Sequence, residues 1–261
     1  MATKHYCWQL LLLVAFAFPA LGADEGQLKY TLGADYSEGD YGEGRGDTEI
    51  LFIPFSVAYS RDSWTYKASF AWVDIDGPGN VIGAGDGGLV IGDRQQEPVD
   101  NPGMGDVWLS ASYALPTTRP DEVYMEVTGK IKLPTADEDE GLGTGETDYS
   151  LALELYQAVG VYTPFATLGY KIKGTPSGLN VDDVLFASAG TDYRLSNRYS
   201  VGVSLDYQEA SVSGSDDATE LFGYWNNRIS REWSLMLYGY LGLQDGSPDH
   251  GIGIQLSFKP Q

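Results

Sequence analysis

Cysteine is nearly missing from this chain. Of 261 residues only Cys7 is one, and it lies in the first 23 residues, a segment expected to be removed. Without that segment, disulfides, thiolate zinc sites and cysteine nucleophiles are all excluded. Histidine is almost as scarce, with only His5 and His250. Basic charge is in short supply too: 16 Lys and Arg stand against 37 Asp and Glu, a formal net charge of −21. A nucleic-acid partner is therefore not expected, because phosphate backbones call for a basic face. Long apolar runs are also absent. The longest spans residues 10–18, well short of the roughly 20 residues of a membrane-spanning helix.

That early run has the layout of an export signal. Lys4 supplies the positive start, residues 10–18 the apolar centre, and Ala20, Leu21, Gly22 and Ala23 the small-residue cleavage region. Residues 1–23 are expected to be cleaved, leaving residues 24–261 as one domain in an oxidising compartment that suits a cysteine-free chain. The acidic balance names no partner by itself, since a solvated surface is its ordinary explanation.

What is abundant is alternation. Tyr149, Leu151, Leu153 and Leu155 fall on one parity, Asp148, Ser150, Ala152 and Glu154 on the other. A period of two marks a β-strand with unlike environments on its faces. The pattern recurs near 27–36, 48–60, 64–74, 105–115, 122–133, 148–158, 162–173, 184–194, 199–209, 219–229, 233–243 and 251–259. Each segment is close to the roughly 9–11 residues that cross a bilayer at a tilt. Connections alternate as well. Those at 37–47, 75–104, 134–147, 174–183, 210–218 and 244–250 are long or acidic; those at 61–63, 116–121, 159–161, 195–198 and 230–232 are tight. This rhythm predicts an all-β, antiparallel transmembrane β-barrel of twelve strands in the bacterial outer membrane. A soluble two-sheet sandwich also alternates, but seldom with so regular a loop pattern.

Parity then assigns faces. Trp64, Tyr66, Phe70, Leu109, Val203, Leu205, Leu237, Ile252 and Ile254 belong to the apolar parity. A charge on the lipid face costs about 2–4 kcal/mol near the midplane. Lys67, Glu126, Lys130, Lys132, Glu154, Lys171, Lys173 and Asp192, which share the opposite parity, are accordingly expected to line the lumen. Lys130 and Lys132 beside Lys171 and Lys173 form a basic strip, with Glu126, Glu154 and Asp192 expected to face it. Charged rings select permeants in pores, while interior salt bridges give the same composition. About 8 strands leave a filled interior and 16–18 an open one, so twelve suggest a narrow or partly plugged pore.

Few motifs carry chemistry. Ser247, Asp249 and His250 lie too close in one loop to aim at a common point, and a catalytic histidine needs an orienting partner. No enzyme activity and no cofactor are expected. Asp137-Glu138-Asp139-Glu140-Gly141 and Asp74-Ile75-Asp76-Gly77 are fragments of calcium loops without the closing bidentate glutamate; weak divalent-cation binding there is an expectation, as is bridging to anionic lipopolysaccharide. Gly83-Ala84-Gly85-Asp86-Gly87-Gly88 matches a dinucleotide fingerprint formally, yet no helix-forming pattern follows. Its neighbours Val81-Ile82 and Leu89-Val90-Ile91 are of buried type, so this long connection is a candidate to fold into the barrel mouth.

One stretch has a more specific look. Gly129-Lys130-Ile131-Lys132-Leu133-Pro134-Thr135, then Gly141-Leu142-Gly143-Thr144-Gly145 and Asp148-Tyr149, resembles the core of the outer-membrane transporter family named for the meta-pathway of phenol degradation. Lys132, Pro134, Thr135, Gly143, Thr144, Gly145 and Asp148 carry the likeness, which extends weakly from about Gly105 to Phe258. The resemblance implies an exported barrel for uptake of small, aromatic or hydrophobic molecules, and no catalytic residues. The sequence thus points to passive passage of a small-molecule permeant across a lipid and lipopolysaccharide membrane. Its rivals are a sealed structural or surface-binding barrel and, more remotely, an outer-membrane hydrolase.

Overall fold

The structure is a computed structural model and describes residues 26–41, 46–79, 81–85, 89–90, 99–117, 119 and 122–261. The expected export signal lies outside the described residues. Among the described residues fifteen strands form: β1 (Gln27–Gly39), β2 (Thr48–Arg61), β3 (Trp64–Gly77), β4 (Val81–Ile82), β5 (Leu89–Val90), β6 (Val99–Met104), β7 (Val107–Ala114), β8 (Tyr124–Leu133), β9 (Asp148–Tyr156), β10 (Tyr162–Ile172), β11 (Val184–Arg194), β12 (Tyr199–Gln208), β13 (Ala218–Arg228), β14 (Trp233–Gly242) and β15 (His250–Phe258). β6 and β7 are two halves of one barrel strand, and β4 and β5 a separate hairpin. The remaining neighbours pair antiparallel in sequence order, and β1 closes onto β15. The result is a closed all-β barrel of twelve strands.

Closure leaves no sheet edge to protect along most of the wall. The exterior is apolar in a continuous band. Leu151 is 60% exposed and Ile252 67%, and Leu32, Val203, Leu205, Leu237 and Ile254 are exposed with them. At the tight-turn end the band is bounded by outward aromatic pairs: Trp64 with Tyr113, Tyr162 with Tyr193, Tyr199 with Trp225, and Trp233 with Phe258, ring centroids 4.8, 5.0, 5.8 and 4.6 Å apart. At the long-loop end, tyrosine hydroxyls donate to acids at strand ends and in loops: Tyr36 to Glu49 (3.0 Å), Tyr170 to Asp183 (3.2 Å) and Tyr207 to Asp217 (2.7 Å). Such a surface, greasy between two aromatic belts, suits hydrocarbon rather than water.

Two features depart from the strand pattern read off the sequence. Residues 99–104, which fall inside the expected 75–104 connection, form β6 and extend the fourth barrel strand. Proline is tolerated because β6 pairs only with β3, so one side needs no ladder donor. Between the halves the register slips. Trp72 faces Met104, but Ser69 faces Trp108, so strand four carries one extra residue, a β-bulge at Gly105–Asp106. The bulge turns Asp106 onto the inner face together with Trp108 and Ser110. The second departure is the β4–β5 hairpin (Val81 paired with Val90), which folds into the mouth. Val81 and Val90 pack against Ile50, Val73 and Ile75 of the wall, while Ile82 packs on Val212 opposite.

Candidate functional site in the barrel lumen

The lumen is built from rows of side chains. In an antiparallel barrel, directly opposed residues share a face, and a row followed from strand to strand climbs the wall because strands tilt. One row runs Lys29, Ala58, Lys67, Ser110, Lys130, Ser150, Lys171, placing a lysine on alternate strands from β1 to β10 with small residues between. A second row is Glu126, Glu154, Thr167, Ser188, Asp206, Glu220. The sequence expectation was of acids facing lysines; here Glu126 opposes Glu154 and Asp206 opposes Glu220. Charges of one sign are gathered along each row because register follows the stagger between strands, which the turns set.

A third row is made of aromatics and glycines: Asp192, Gly202, Tyr224, Tyr238, Gly253, Asp35. A Cβ on Gly202 would sit inside the Tyr224 ring, and one on Gly253 inside the Tyr238 ring. Missing side chains therefore let the rings lie flat on the wall. The Tyr224 hydroxyl donates to Asp192 Oδ2 (3.1 Å), and that of Tyr240 to Asp35 Oδ1 (2.9 Å). This wall is tied down rather than open.

Above it, the hairpin divides the space. A cavity of about 340 Å³ at the long-loop end is lined by Asp35, Tyr41, Glu220 and Tyr240 among others. A second, of about 370 Å³, is lined by Lys29, Lys67, Lys130, Trp108 and Gln255. Phe52, Gly83 and Ala84 line both and so stand between them. Tyr41, buried at the rim, has its hydroxyl pKa raised by burial and by the carboxylates of Glu220, Asp249 and Asp35, so it stays neutral. A further cavity of about 340 Å³ borders Glu154, Phe165, Asp192 and Tyr224.

The eight charged residues singled out from sequence fall into different settings. Lys67 and Lys130 border the 370 Å³ cavity; Glu154 and Asp192 border the third, with Glu126 opposite Glu154. Lys171 is buried, donating to Gln208 Oε1 (2.6 Å) with its ammonium 5.2 Å from the centre of the Phe186 ring. Lys173, also buried, follows β10, its backbone N–H donating to Asp183. Lys132 has no exposed surface at all.

Lys132 is instead the centre of a polar knot. Its Nζ lies 2.9 Å from Asp148 Oδ2, 2.8 Å from Thr144 Oγ1 and 3.5 Å from Asp106 Oδ2. Asp106 Oδ1 accepts the backbone N–H groups of Thr135 and Ala136, each at 3.0 Å, and Thr135 Oγ1 accepts that of Val107 (2.9 Å). Asp148 Oδ1 accepts Gly174 N–H (3.0 Å). Pro134 sits in the tight turn closed by Thr135 N–H onto the Leu133 carbonyl. Gly145 has φ +68°, and a Cβ on Gly143 would come within 2.7 Å of that of Ala136. Every residue of the motif thus belongs to one latch that fastens the 134–147 connection to the rim. A buried ion pair holds only when its other hydrogen-bonding capacity is met, and among the described residues no buried side-chain nitrogen or oxygen lacks a partner. Sequence reasoning missed Asp106. Gly105-Asp106 between two alternating halves was its only local signal.

The loop residues considered for chemistry have other contacts. Ser247 Oγ donates to the Thr219 carbonyl (3.2 Å), while His250 Nε2 lies 4.0 Å from Glu38. Asp137 accepts the N–H of Asp139 within its own turn. Among the described residues no group of three or more His, Asp or Glu is arranged to hold a metal. Residues 86–88 of the glycine-rich motif lie outside the described residues.

No family model and no curated protein matches this chain. Its fold is shared with solved structures. The COG4313 outer membrane channel from Pseudomonas putida F1 superposes with a TM-score of 0.70 at 14% identity, covering 91% of this chain and 96% of that one. The KdgM porin in complex with disordered oligogalacturonate gives 0.53 at 10% identity (90% and 99%). The translocator domain of the autotransporter NalP from Neisseria meningitidis gives 0.55 at 12% identity (92% and 90%). At such identities the likeness is one of fold, and folds host more than one function.

Proposed function

We propose that this protein is an outer-membrane channel through which small molecules pass by diffusion. The observation that carries the proposal is the pairing of an apolar, aromatic-belted exterior with a polar lumen that keeps cavities of about 340 and 370 Å³ on either side of Phe52 and the folded-in hairpin. A sealed structural barrel would be filled at that level. Two of the neighbours are a channel and a porin, which supports the reading. In this orientation the long loops face outward and the tight turns the periplasm, and Lys67, Glu126, Lys130, Glu154 and Asp192 border the path. The aromatic and hydrophobic permeants implied by the resemblance of residues 129–149 fit a lumen that sets Phe52 and Trp108 among hydroxyls and lysines. Lipopolysaccharide would meet the acidic outer loops through bridging cations.

Reconstitution into planar bilayers tests this. Discrete conductance steps are expected, and shortening the 80–98 connection to a four-residue turn is expected to enlarge them several-fold. Absence of steps from both forms overturns the proposal in favour of a sealed barrel.

A further inference from the structure

The lysine row has a consequence for which molecules the lumen takes. Lys29, Lys67 and Lys130 occur in one register line, Lys29–Ala58–Lys67–Ser110–Lys130, and all three border the 370 Å³ cavity. Neighbouring strands are about 4.8 Å apart, so successive lysines are about 10 Å apart at the backbone. Their four-carbon stems let two ammonium groups reach a common anion. Between them stand only Ala58 and Ser110, which leave room and add a hydroxyl.

Among the described residues one carboxylate borders this cavity, that of Asp106. It is already committed to the N–H groups of Thr135 and Ala136 and to Lys132. The acids of the two other rows stand elsewhere, on β8 four residues from the lysine (Glu126 against Lys130). The cavity is also lopsided in polarity. Phe52, Trp108 and Leu142 line it in addition to the lysines and Ser110. A volume near 370 Å³ is in the range that small-molecule sites use.

We infer that this cavity is a binding station for a small amphipathic carboxylate. The carboxylate would lie between Lys67 and Lys130 beside Ser110, and the apolar body against Phe52 and Trp108. The inference rests on reading the lumen as a permeation path and names the chemical class that path receives. Lys67 and Lys130 already have contacts of their own, for which an arriving carboxylate would have to exchange. Charge-assisted hydrogen bonds to two ammonium groups would set the preference.

The test uses the full barrel refolded in detergent and again in planar bilayers, with benzoate as the anionic probe and benzyl alcohol as its uncharged counterpart. Equilibrium dialysis is expected to show saturable benzoate binding at least tenfold tighter than that of benzyl alcohol. The double substitution Lys67→Gln with Lys130→Gln should abolish that preference, and Lys67→Arg with Lys130→Arg should keep it. Heat-modifiable migration on gels confirms that each variant is folded. Equal binding of the two probes, or benzoate binding unmoved by the glutamine pair, overturns the inference while leaving the channel intact if conductance steps persist. Binding without conductance supports the station and overturns the path.

Discussion

Lys130 and Lys132 stand two residues apart on β8, on the same face, in the same family-like stretch. Yet their surroundings have little in common. Lys132 is enclosed by Asp106, Thr144 and Asp148 and touches no solvent; Lys130 borders a cavity that also holds Lys29 and Lys67. The difference comes from their neighbours across the sheet. At the level of Lys132 the bulge has turned Asp106 inward, and the 134–147 connection folds back over it. One step lower the opposed residues are Ser110 and Ser150, which are too short to cover an ammonium group. An inward charge in a barrel becomes structural where a loop closes over it and accessible where its row is made of small residues.

Lys132→Met is the harshest way to test that contrast. It leaves two buried carboxylates without their cation, and breaking a buried pair in this way costs about 3–5 kcal/mol. Lys130→Met is expected to stay within about 1 kcal/mol of the parent. Urea midpoints of the refolded barrels compare the two; similar losses would break the distinction. A smaller effect is expected on the tyrosine wall. Gly202→Ala forces a methyl into the Tyr224 ring and should cost about 1–3 kcal/mol by overpacking, whereas Gly129→Ala, with nothing within 4 Å of its Cβ, serves as the neutral reference in the same thermal melts. Thr144→Val removes one hydroxyl from the Lys132 cluster and keeps its shape, for an expected loss of about 1–2 kcal/mol; a loss near zero would show that Asp106 and Asp148 hold the lysine without it. The mildest change is Ser215→Ala. Its hydroxyl donates to the Val90 carbonyl (3.1 Å), and stability should move by less than about 1 kcal/mol while current fluctuations through the mouth increase.

Much of the architecture was legible in the sequence. The two-residue period placed the twelve wall strands, because each face of a barrel strand meets a different medium, and the loop rhythm gave their order. β6 was hidden inside the long 75–104 connection, and its lack of a second partner among the described residues is what makes Pro102 acceptable in a strand there. The lumen was legible as a set of charges but not as an arrangement. Parity groups Glu126, Lys130 and Lys132 on one face, yet which residues share a row depends on the stagger each turn imposes, and turn geometry leaves little trace in composition. The motif residues could be recognised together without revealing their bond, since Asp106, the partner that completes it, stands 26 residues before Lys132 in the chain.

The hairpin of β4 and β5 has a mechanical side. A ring of hydrogen-bonded strands resists stretching around its circumference but flattens easily into an ellipse. This one has a strut across its mouth, with Val81 and Val90 seated on Ile50, Val73 and Ile75 of the wall and the Val90 carbonyl bonded to Ser215 of the connection between β12 and β13. Roundness and occlusion are thereby held by the same few contacts, so displacing the strut would also soften the cross-section around it.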